Sequence, residues 1–356
     1  KKAALPAIAA LGGMIVPALI YTVFVAGKGG EASGGWAIPM ATDIAFSVGV
    51  ISLLGKRVST GAKLFLLTLA IADDIGAIIV IAVFYSQGMS LLWLGLGLAG
   101  LLFVYLAQRA GIRSLFFYWP VGIVIWFFIL QSGVHATLAG VALGLMTPVY
   151  PLYSEDEYHR KTSWILGRFE TNRAAANHRE RLDYDAMQMA AVAAESVSPL
   201  DRIEQFLAPW SGFFVVPIFA LANAGVRFAD FENGVGAAVT SPVTLGVALG
   251  LLVGKLVGIS SATWIAVRTG IGRLPSNTGW SQIIGLAMLA GIGFTVSMFV
   301  TELAFTEAAL TDSAKVGIFI GSGLAGIIGT VFLRRFGVKQ PVAVDDDEPE
   351  PAAAMA

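Results

Sequence analysis

Long apolar segments are the feature of this sequence that most constrains its fold. A helix that crosses a lipid bilayer needs about 20 consecutive, mostly apolar residues. The 356-residue chain is apolar enough for ten predicted spans, at residues 5–26, 36–54, 62–85, 91–108, 115–131, 134–149, 206–226, 242–267, 281–302 and 314–333. Only 13% of its residues are charged, whereas soluble domains carry about 25%. The sequence therefore predicts an all-α polytopic membrane protein with about ten transmembrane helices.

Charge and cysteine content exclude several classes of function. The formal net charge is −1, so nothing indicates a nucleic-acid partner. Cysteine is absent, which excludes disulfides, thiolate chemistry and Cys-ligated metals. The sequence contains no GxxxxGK[ST] phosphate-binding loop. We therefore expect neither ATP nor any other cofactor.

The basic residues predict an orientation in the membrane. If the ten spans cross in turn, Lys28, Arg227 and Lys315 lie on one side, and Lys255 lies inside a span. The remaining 19 of the 23 Lys and Arg residues lie on the opposite side. Loops rich in Lys and Arg stay in the cytoplasm, so we expect both ends of this chain to be cytoplasmic.

The spans and the charged stretches divide the chain into four predicted segments. Residues 1–149 hold spans one to six, and residues 202–336 hold spans seven to ten. Residues 150–201 are predicted to form a charged cytoplasmic loop. Its later part, "DAMQMAAVAAESVSPL", could form an amphipathic helix, but a solvated loop is the preferred interpretation. Residues 337–356 are acidic and rich in Pro, and are predicted to be disordered.

Two predicted spans contain residues that interrupt helices. The second carries Pro39, Thr42 and Asp43, and the ninth carries Gly291 and Gly293. A broken backbone at membrane depth persists only where protein buries it or where it lines a wet cavity. The glycines could instead allow close helix packing, so both interpretations of the ninth span stay open.

Charged residues inside the spans predict a functional site. Each costs roughly 2.5–3.5 kcal/mol on insertion scales, and Asp43, Asp73, Asp74 and Lys255 are the conspicuous ones. Asp73 and Asp74 project about 100° apart on a helix, so we expect one to face a water-filled cavity and the other a neighbouring helix. A structural Asp–Lys pair that joins two helices is the alternative, but it leaves two acids unexplained.

The oxygen atoms in and near these charged residues could bind a hard cation. Such ions prefer oxygen ligands, and two carboxylates, the Thr42 hydroxyl and carbonyls freed by a broken helix would supply them. A carboxylate that takes up a proton at cellular pH can exchange H⁺ for another cation. The cluster could therefore exchange H⁺ for a hard cation such as Na⁺, and we expect no catalytic residues.

Two further titratable residues lie near predicted span ends. A lone residue such as His135 is more often a packing residue than a sensor. Glu204 lies where an acid at a helix start complements the helix dipole. Regulation by pH is the alternative that we keep for both.

Several motifs resemble the NhaA-type sodium/proton antiporter family. The resemblance runs from about Ala4 to Arg335, apart from the insertion near 153–199, and six motifs carry it in order. They are "GGWAIPMATDIAFSVGV", "LAIADDIGAIIVIAVFY", "SGVHATLAGV", "FALANAGV", "GKLVGI" and "GIGFTVSMFV". The family normally has two further spans before the point where this chain begins, so we expect upstream sequence to be missing.

The resemblance implies a fold, a site and an activity. It implies inverted repeats with two discontinuous helices, broken near 41–43 and 291–294. The acid at Asp43 would offset the positive helix ends, and Lys255 would offset the negative ends and pair with Asp73. Asp73 and Asp74 would bind Na⁺ (or Li⁺) and H⁺. The implied protein is an antiporter of the bacterial inner membrane that serves pH and sodium homeostasis, and the resemblance favours a homodimer.

Two rival functions use the same charged residues. An intramembrane aspartyl protease could use Asp43 and Asp73, although their sequence contexts do not match such enzymes and Lys255 would be unexplained. A retinal pump could use Lys255 as its Schiff base, but ten spans rather than seven argue against it.

Overall fold

The fold is built from helices. The computed structural model describes residues 4–27, 29–86, 88–112, 114–172, 178–226 and 234–337, and within these ranges it contains helices and no strand. The predicted all-α fold is therefore confirmed. Residues 338–356, which include nearly all of the predicted disordered tail, lie outside the described residues.

The helices follow one another through short connections. In chain order they are α1 (Ala4–Val25), α2 (Ile44–Leu54), α3 (Thr60–Phe84), α4 (Leu91–Arg109), α5 (Leu115–Gln131), α6 (Thr137–Met146), α7 (Glu155–Asn172), α8 (His178–Glu195), α9 (Pro199–Trp210), α10 (Val216–Asn223), α11 (Gly234–Thr240), α12 (Pro242–Leu249), α13 (Lys255–Arg268), α14 (Trp280–Leu289), α15 (Phe294–Ala304) and α16 (Ala308–Phe336). A 3₁₀ helix, Gly30–Met40, precedes α2, and a π-helical turn, Gly250–Gly254, joins α12 to α13.

Each predicted span coincides with an apolar helix or helix pair. Among the described residues, seven helical segments are long and apolar enough to cross a membrane, and the pair α14 and α15, bent by 46°, makes an eighth. The other two predicted spans, 115–131 and 134–149, correspond to α5 and α6, which are apolar but shorter than 18 residues. Pro199–Asn223 begins earlier than the predicted span 206–226.

The helices group into two compact units. The first combines Lys1–Val80 with Asn223–Ala356, and the second is Ile81–Ala222. Helix association in lipid depends on close packing of small residues rather than on the hydrophobic effect. In the first unit Gly12 lies against the Gly258 carbonyl, and a Cβ on Gly254 would lie 2.7 Å from the Pro17 Cα. This contact between α1 and α13 fixes the position of Lys255, the next residue.

The second unit contains the charged segment 150–201. The structure places α7 and α8 there, so the later part of the segment is helical where a solvated loop was the preferred interpretation. Arg168 of α7 forms an ion pair with Asp185 of α8 and donates to Gln188 Oε1 at 3.1 Å. These contacts join α7 to α8. The segment therefore forms helices even though its composition is hydrophilic.

Candidate functional site

Two broken helices contact each other at their breaks. The 3₁₀ helix ends at Met40, the chain is extended at Ala41, and α2 begins after Asp43. In the ninth predicted span, the four residues 290–293 separate α14 from α15. The Asp43 N–H donates to the Ile292 carbonyl at 2.6 Å. Both predicted breaks are therefore present, and the same contact joins them.

At each break, side chains of the other broken span donate hydrogen bonds to carbonyls that have no partner within their own helix. A helix end leaves carbonyls without intrahelical partners, which is costly in a low-dielectric setting. Ser297 Oγ donates to the Ile38 carbonyl at 2.8 Å, and Ser47 Oγ donates to the Leu289 carbonyl at 3.0 Å. Thr42 Oγ1 lies 2.9 Å from the Ala290 carbonyl. The carbonyls expected as cation ligands thus already accept hydrogen bonds from side chains.

Asp43 caps two helix N-termini at once. One carboxylate oxygen accepts the Phe46 N–H of α2 at 3.1 Å. The other accepts the Thr295 N–H of α15 at 3.0 Å and the Thr295 hydroxyl at 2.5 Å. Asp43 is only 2% exposed. A negative charge here stabilises the positive ends of both helices, so the geometry supplies the contacts expected of an acid at this position.

Lys255 and Asp73 form a buried ion pair. Lys255 Nζ lies 2.5 Å from Asp73 Oδ2, and both side chains are 0% exposed. Nζ also donates to the Met40 carbonyl at the end of the 3₁₀ helix. Thr42 Oγ1 lies 2.7 Å from the same Asp73 oxygen. The ammonium therefore contacts both an acid and a negative helix end, in the pairing that the sequence predicts.

Asp73 and Asp74 differ in their surroundings. Asp73 is fully buried against Lys255, whereas Asp74 is only partly buried. In each carboxylate, Oδ1 is buried and has no hydrogen-bond partner among the described residues. These two oxygens are therefore unengaged, which distinguishes them from the carbonyls of the breaks. That Asp74 faces a water-filled cavity stays a prediction.

Gly291 and Gly293 allow a close approach at the break. A Cβ on Gly291 would lie 2.5 Å from the Leu251 carbonyl oxygen, and one on Gly293 would lie 2.8 Å from the Ala41 carbonyl oxygen. The Gly293 N–H donates to Ser322 Oγ at 3.2 Å. Both interpretations of the ninth span therefore apply, because the glycines serve close packing within a broken helix.

We expect Gly293→Ala to lower the free energy of unfolding by about 1–3 kcal/mol, the usual cost of overpacking. The added methyl would push against the backbone at Ala41, which cannot withdraw without disturbing Asp43. Thermal unfolding in detergent, followed by tryptophan fluorescence, measures the change. Gly323→Ala on α16 is the matched control, because nothing lies within 4 Å of its Cβ position. Equal loss of stability in both variants would contradict this account.

Ser47 and Ser322 belong to the crossing but were not anticipated from the sequence. Each is a small hydroxyl residue in an otherwise apolar helix. Such residues usually bond to their own helix backbone, whereas Ser47 donates to the Leu289 carbonyl and Ser322, on α16, accepts the Gly293 N–H, so both contact the ninth span. A Ser hydroxyl at the same membrane depth as a predicted break is the sequence signal that could have identified Ser47 and Ser322.

His135 and Glu204 lie in the second unit. His135 Nε2 lies 3.2 Å from the Tyr85 carbonyl, which is the contact of a packing residue. Glu204 is exposed in α9, but the acid in the first turn is Asp201, which bonds to the capping Ser198. The dipole-complementing position predicted for Glu204 therefore belongs to Asp201. A role of either residue in pH regulation stays a prediction.

Comparison with known proteins identifies the family. Residues 1–333 match the family model described as Na⁺/H⁺ antiporter 1. A Na(+)/H(+) antiporter NhaA of Syntrophobacter fumaroxidans is 44% identical over 342 residues, which is 94% of this chain and 71% of that protein. NhaA 2 of Pseudomonas syringae pv. syringae is 47% identical over 94% of this chain and 75% of that protein. A Na(+)/H(+) antiporter NhaA of Helicobacter pylori is 44% identical over 94% of this chain and 75% of that protein.

The relatives carry the names of transporters, and neither a protease nor a retinal pump accounts for the match. The family match covers residues 1–333, the range that contains both broken spans. The predicted resemblance is therefore confirmed. The chain belongs to the Na⁺/H⁺ antiporter 1 family, and it is a transporter rather than an enzyme.

Proposed function

We propose that this protein exchanges Na⁺ (or Li⁺) for H⁺ across the membrane, with Asp73 and Asp74 as the ion and proton site. The observation that carries the proposal is the pair of adjacent carboxylates, each with an oxygen that is buried and unengaged. They lie near the centre of α3, beside the crossing of two broken spans. The names of the relatives support Na⁺ and H⁺ as the transported ions.

Competition for the same oxygens would couple the two fluxes. Na⁺ is a hard cation and binds carboxylate oxygen, and a carboxylate that holds a proton cannot bind it equally well. A site that binds one cation or the other, but not both, carries them in opposite directions when it opens to each side in turn. We propose that one group of helices moves against another to provide this alternating access.

Lys255 would hold Asp73 in place while the cation bound at the site changes between Na⁺ and H⁺. Its ammonium contacts Asp73 Oδ2 and the Met40 carbonyl, which leaves Asp73 Oδ1 open. Asp43 has no such open oxygen, because N–H and hydroxyl donors occupy both of its oxygens. We therefore assign Asp43 to the stability of the crossing and not to ion binding.

The proposal includes the setting of the protein. The relatives support a bacterial inner-membrane protein, and the asymmetry of Lys and Arg supports a cytoplasmic location for both ends of this chain. In that orientation exchange would serve pH and sodium homeostasis. A homodimer belongs to the proposal through the family resemblance.

The proposal predicts cation-dependent collapse of a pH gradient. Purified protein is reconstituted into liposomes that carry an acidic interior and a pH-sensitive fluorescent dye. Addition of Na⁺ or Li⁺ outside should restore fluorescence, because the entering cation drives H⁺ outward. K⁺ tests selectivity, and choline at the same ionic strength is the control. An equal response to Na⁺ and to choline would overturn the proposal.

A further inference from the structure

One end of the first unit carries a cluster of five exposed arginines. Three segments meet there: the turn between α2 and α3, the connection between α13 and α14, and the end of α16. The Ser59 and Thr278 hydroxyls lie 3.1 Å apart, and Arg57 Nη1 donates to the Arg334 carbonyl at 2.5 Å. Gly285 lies against Leu333. These contacts bring the three segments to the same end of the unit.

We call this surface the basic end face and define it by six residues. They are Arg57, Lys63, Arg268, Arg273, Arg334 and Arg335. The five arginines are exposed, and the lysine is partly buried. The sequences that carry them, 55–63, 268–280 and 332–337, contain no Asp or Glu. The face therefore has a local excess of positive charge that these segments do not offset.

The chain that leaves this face has the opposite charge. Gly337, the last described residue of this segment, is packed against the Arg57 carbonyl on the face. Asp345, Asp346, Asp347, Glu348 and Glu350 follow in the sequence, with Lys339 as the one basic residue among positions 338–356. Asp345 lies eight residue steps beyond Gly337, and an extended chain of that length reaches at most about 26–29 Å. The acidic run can therefore reach the face without strain.

We propose that the acidic run of residues 345–350 docks on the basic end face of its own chain. Charge complementarity supplies the attraction, and the short connection supplies a high effective concentration. Each exposed ion pair is weak, but several together form a network. The attraction is screened by salt, because the Debye length falls from about 10 Å at 0.1 M to 3 Å at 1 M. Anionic lipid headgroups are the competing occupant of the face.

Docking would couple the tail to both broken spans. The face includes the turn in which α2 ends and the connection from which α14 begins. A tail that bridges Arg57 and Arg273 would restrain the ends of these two helices relative to each other. The docking proposal itself does not depend on the ion that the protein carries, because its test measures proximity and not exchange.

Disulfide trapping tests the docking in the whole chain. The protein contains no cysteine, so Ser276→Cys, exposed on the face, and Ala352→Cys, beyond the acidic run, form a unique pair. The rate of cross-linking by a mild oxidant is followed on gels, for protein in nanodiscs of zwitterionic lipid. We expect the rate at low salt to be about tenfold higher than the rate at 1 M salt.

Two matched variants separate docking from chance encounter. Neutralising the run with D345N, D346N, D347N, E348Q and E350Q keeps the chain length and should lower the low-salt rate about tenfold. Arg268→Gln with Arg273→Gln should also lower the low-salt rate, and neither arginine side chain forms an ion pair among the described residues. Rates that are unaffected by salt and by neutralisation would overturn the proposal. A wild-type rate in anionic nanodiscs equal to that of the neutralised variant would assign the face to lipid headgroups and would also overturn it.

Discussion

Asp74→Asn is expected to abolish Na⁺-driven proton exchange while the protein stays folded. The amide has nearly the shape of the carboxyl, so packing around α3 is preserved. It carries no negative charge and cannot exchange a proton near neutral pH, so the site loses the group for which Na⁺ and H⁺ compete. The pH-gradient assay in liposomes measures exchange, and thermal unfolding in detergent measures folding.

Two comparisons make the Asp74 result specific. Glu302→Gln removes an exposed acid of α15 that pairs with Lys315 at 2.8 Å and has no part in the proposed site. This control should retain exchange. Asp74→Glu keeps a carboxylate but displaces it by one methylene, and we expect reduced exchange with weaker apparent Na⁺ affinity. Full exchange by Asp74→Asn would remove Asp74 from the site.

Lys255→Met is expected to lower the free energy of unfolding by about 3–5 kcal/mol, the usual effect of removing one partner of a buried ion pair. The substitution keeps most of the side-chain volume, so the loss reports charge rather than a cavity. It leaves the Asp73 carboxylate buried without its cation and takes a donor away from the Met40 carbonyl. Thermal or chemical unfolding in detergent measures the change.

The double variant Lys255→Met with Asp73→Asn tests whether breaking the ion pair causes the loss of stability. Removing both charges eliminates the unpaired buried carboxylate, so much of the lost stability should return. Asp43→Asn with Lys255→Met is the matched control, since Asp43 bonds to N–H and hydroxyl groups and not to Lys255. Unchanged stability and unchanged apparent ion affinity in Lys255→Met would show that Lys255 is not the partner of Asp73.

The spans and their breaks could be predicted from the sequence because both depend on local composition. Runs of about 20 apolar residues mark membrane helices, and Pro39 and the glycines near 291 mark interruptions. The different surroundings of Asp73 and Asp74 also follow from local geometry, since neighbouring helical residues project about 100° apart. The structure agrees, with Asp73 against Lys255 and Asp74 partly buried.

The hydrogen bonds of the crossing could not be predicted in this way. Ser47 and Leu289 are 242 residues apart, and Ser297 and Ile38 are 259 apart. No periodicity relates such positions, and a serine in an apolar helix has several possible partners. The helical segment α7–α8 was obscured for a different reason, because contacts such as Arg168–Asp185 join residues 17 apart in the sequence, which no local pattern relates.

The crossing also sets an order of events during synthesis. Asp43 and Thr42 are made roughly 250 residues before their partners at Thr295 and Ala290. At about 5–20 residues per second, the second span waits about 12–50 s before the ninth exists. During that interval its broken backbone and its acid must be sheltered by water, by the insertion machinery or by α1, to which its 3₁₀ half bonds through Tyr21 and the Ala32 carbonyl. The hydrogen bonds at the break of the second span are therefore complete only after the ninth span has been made.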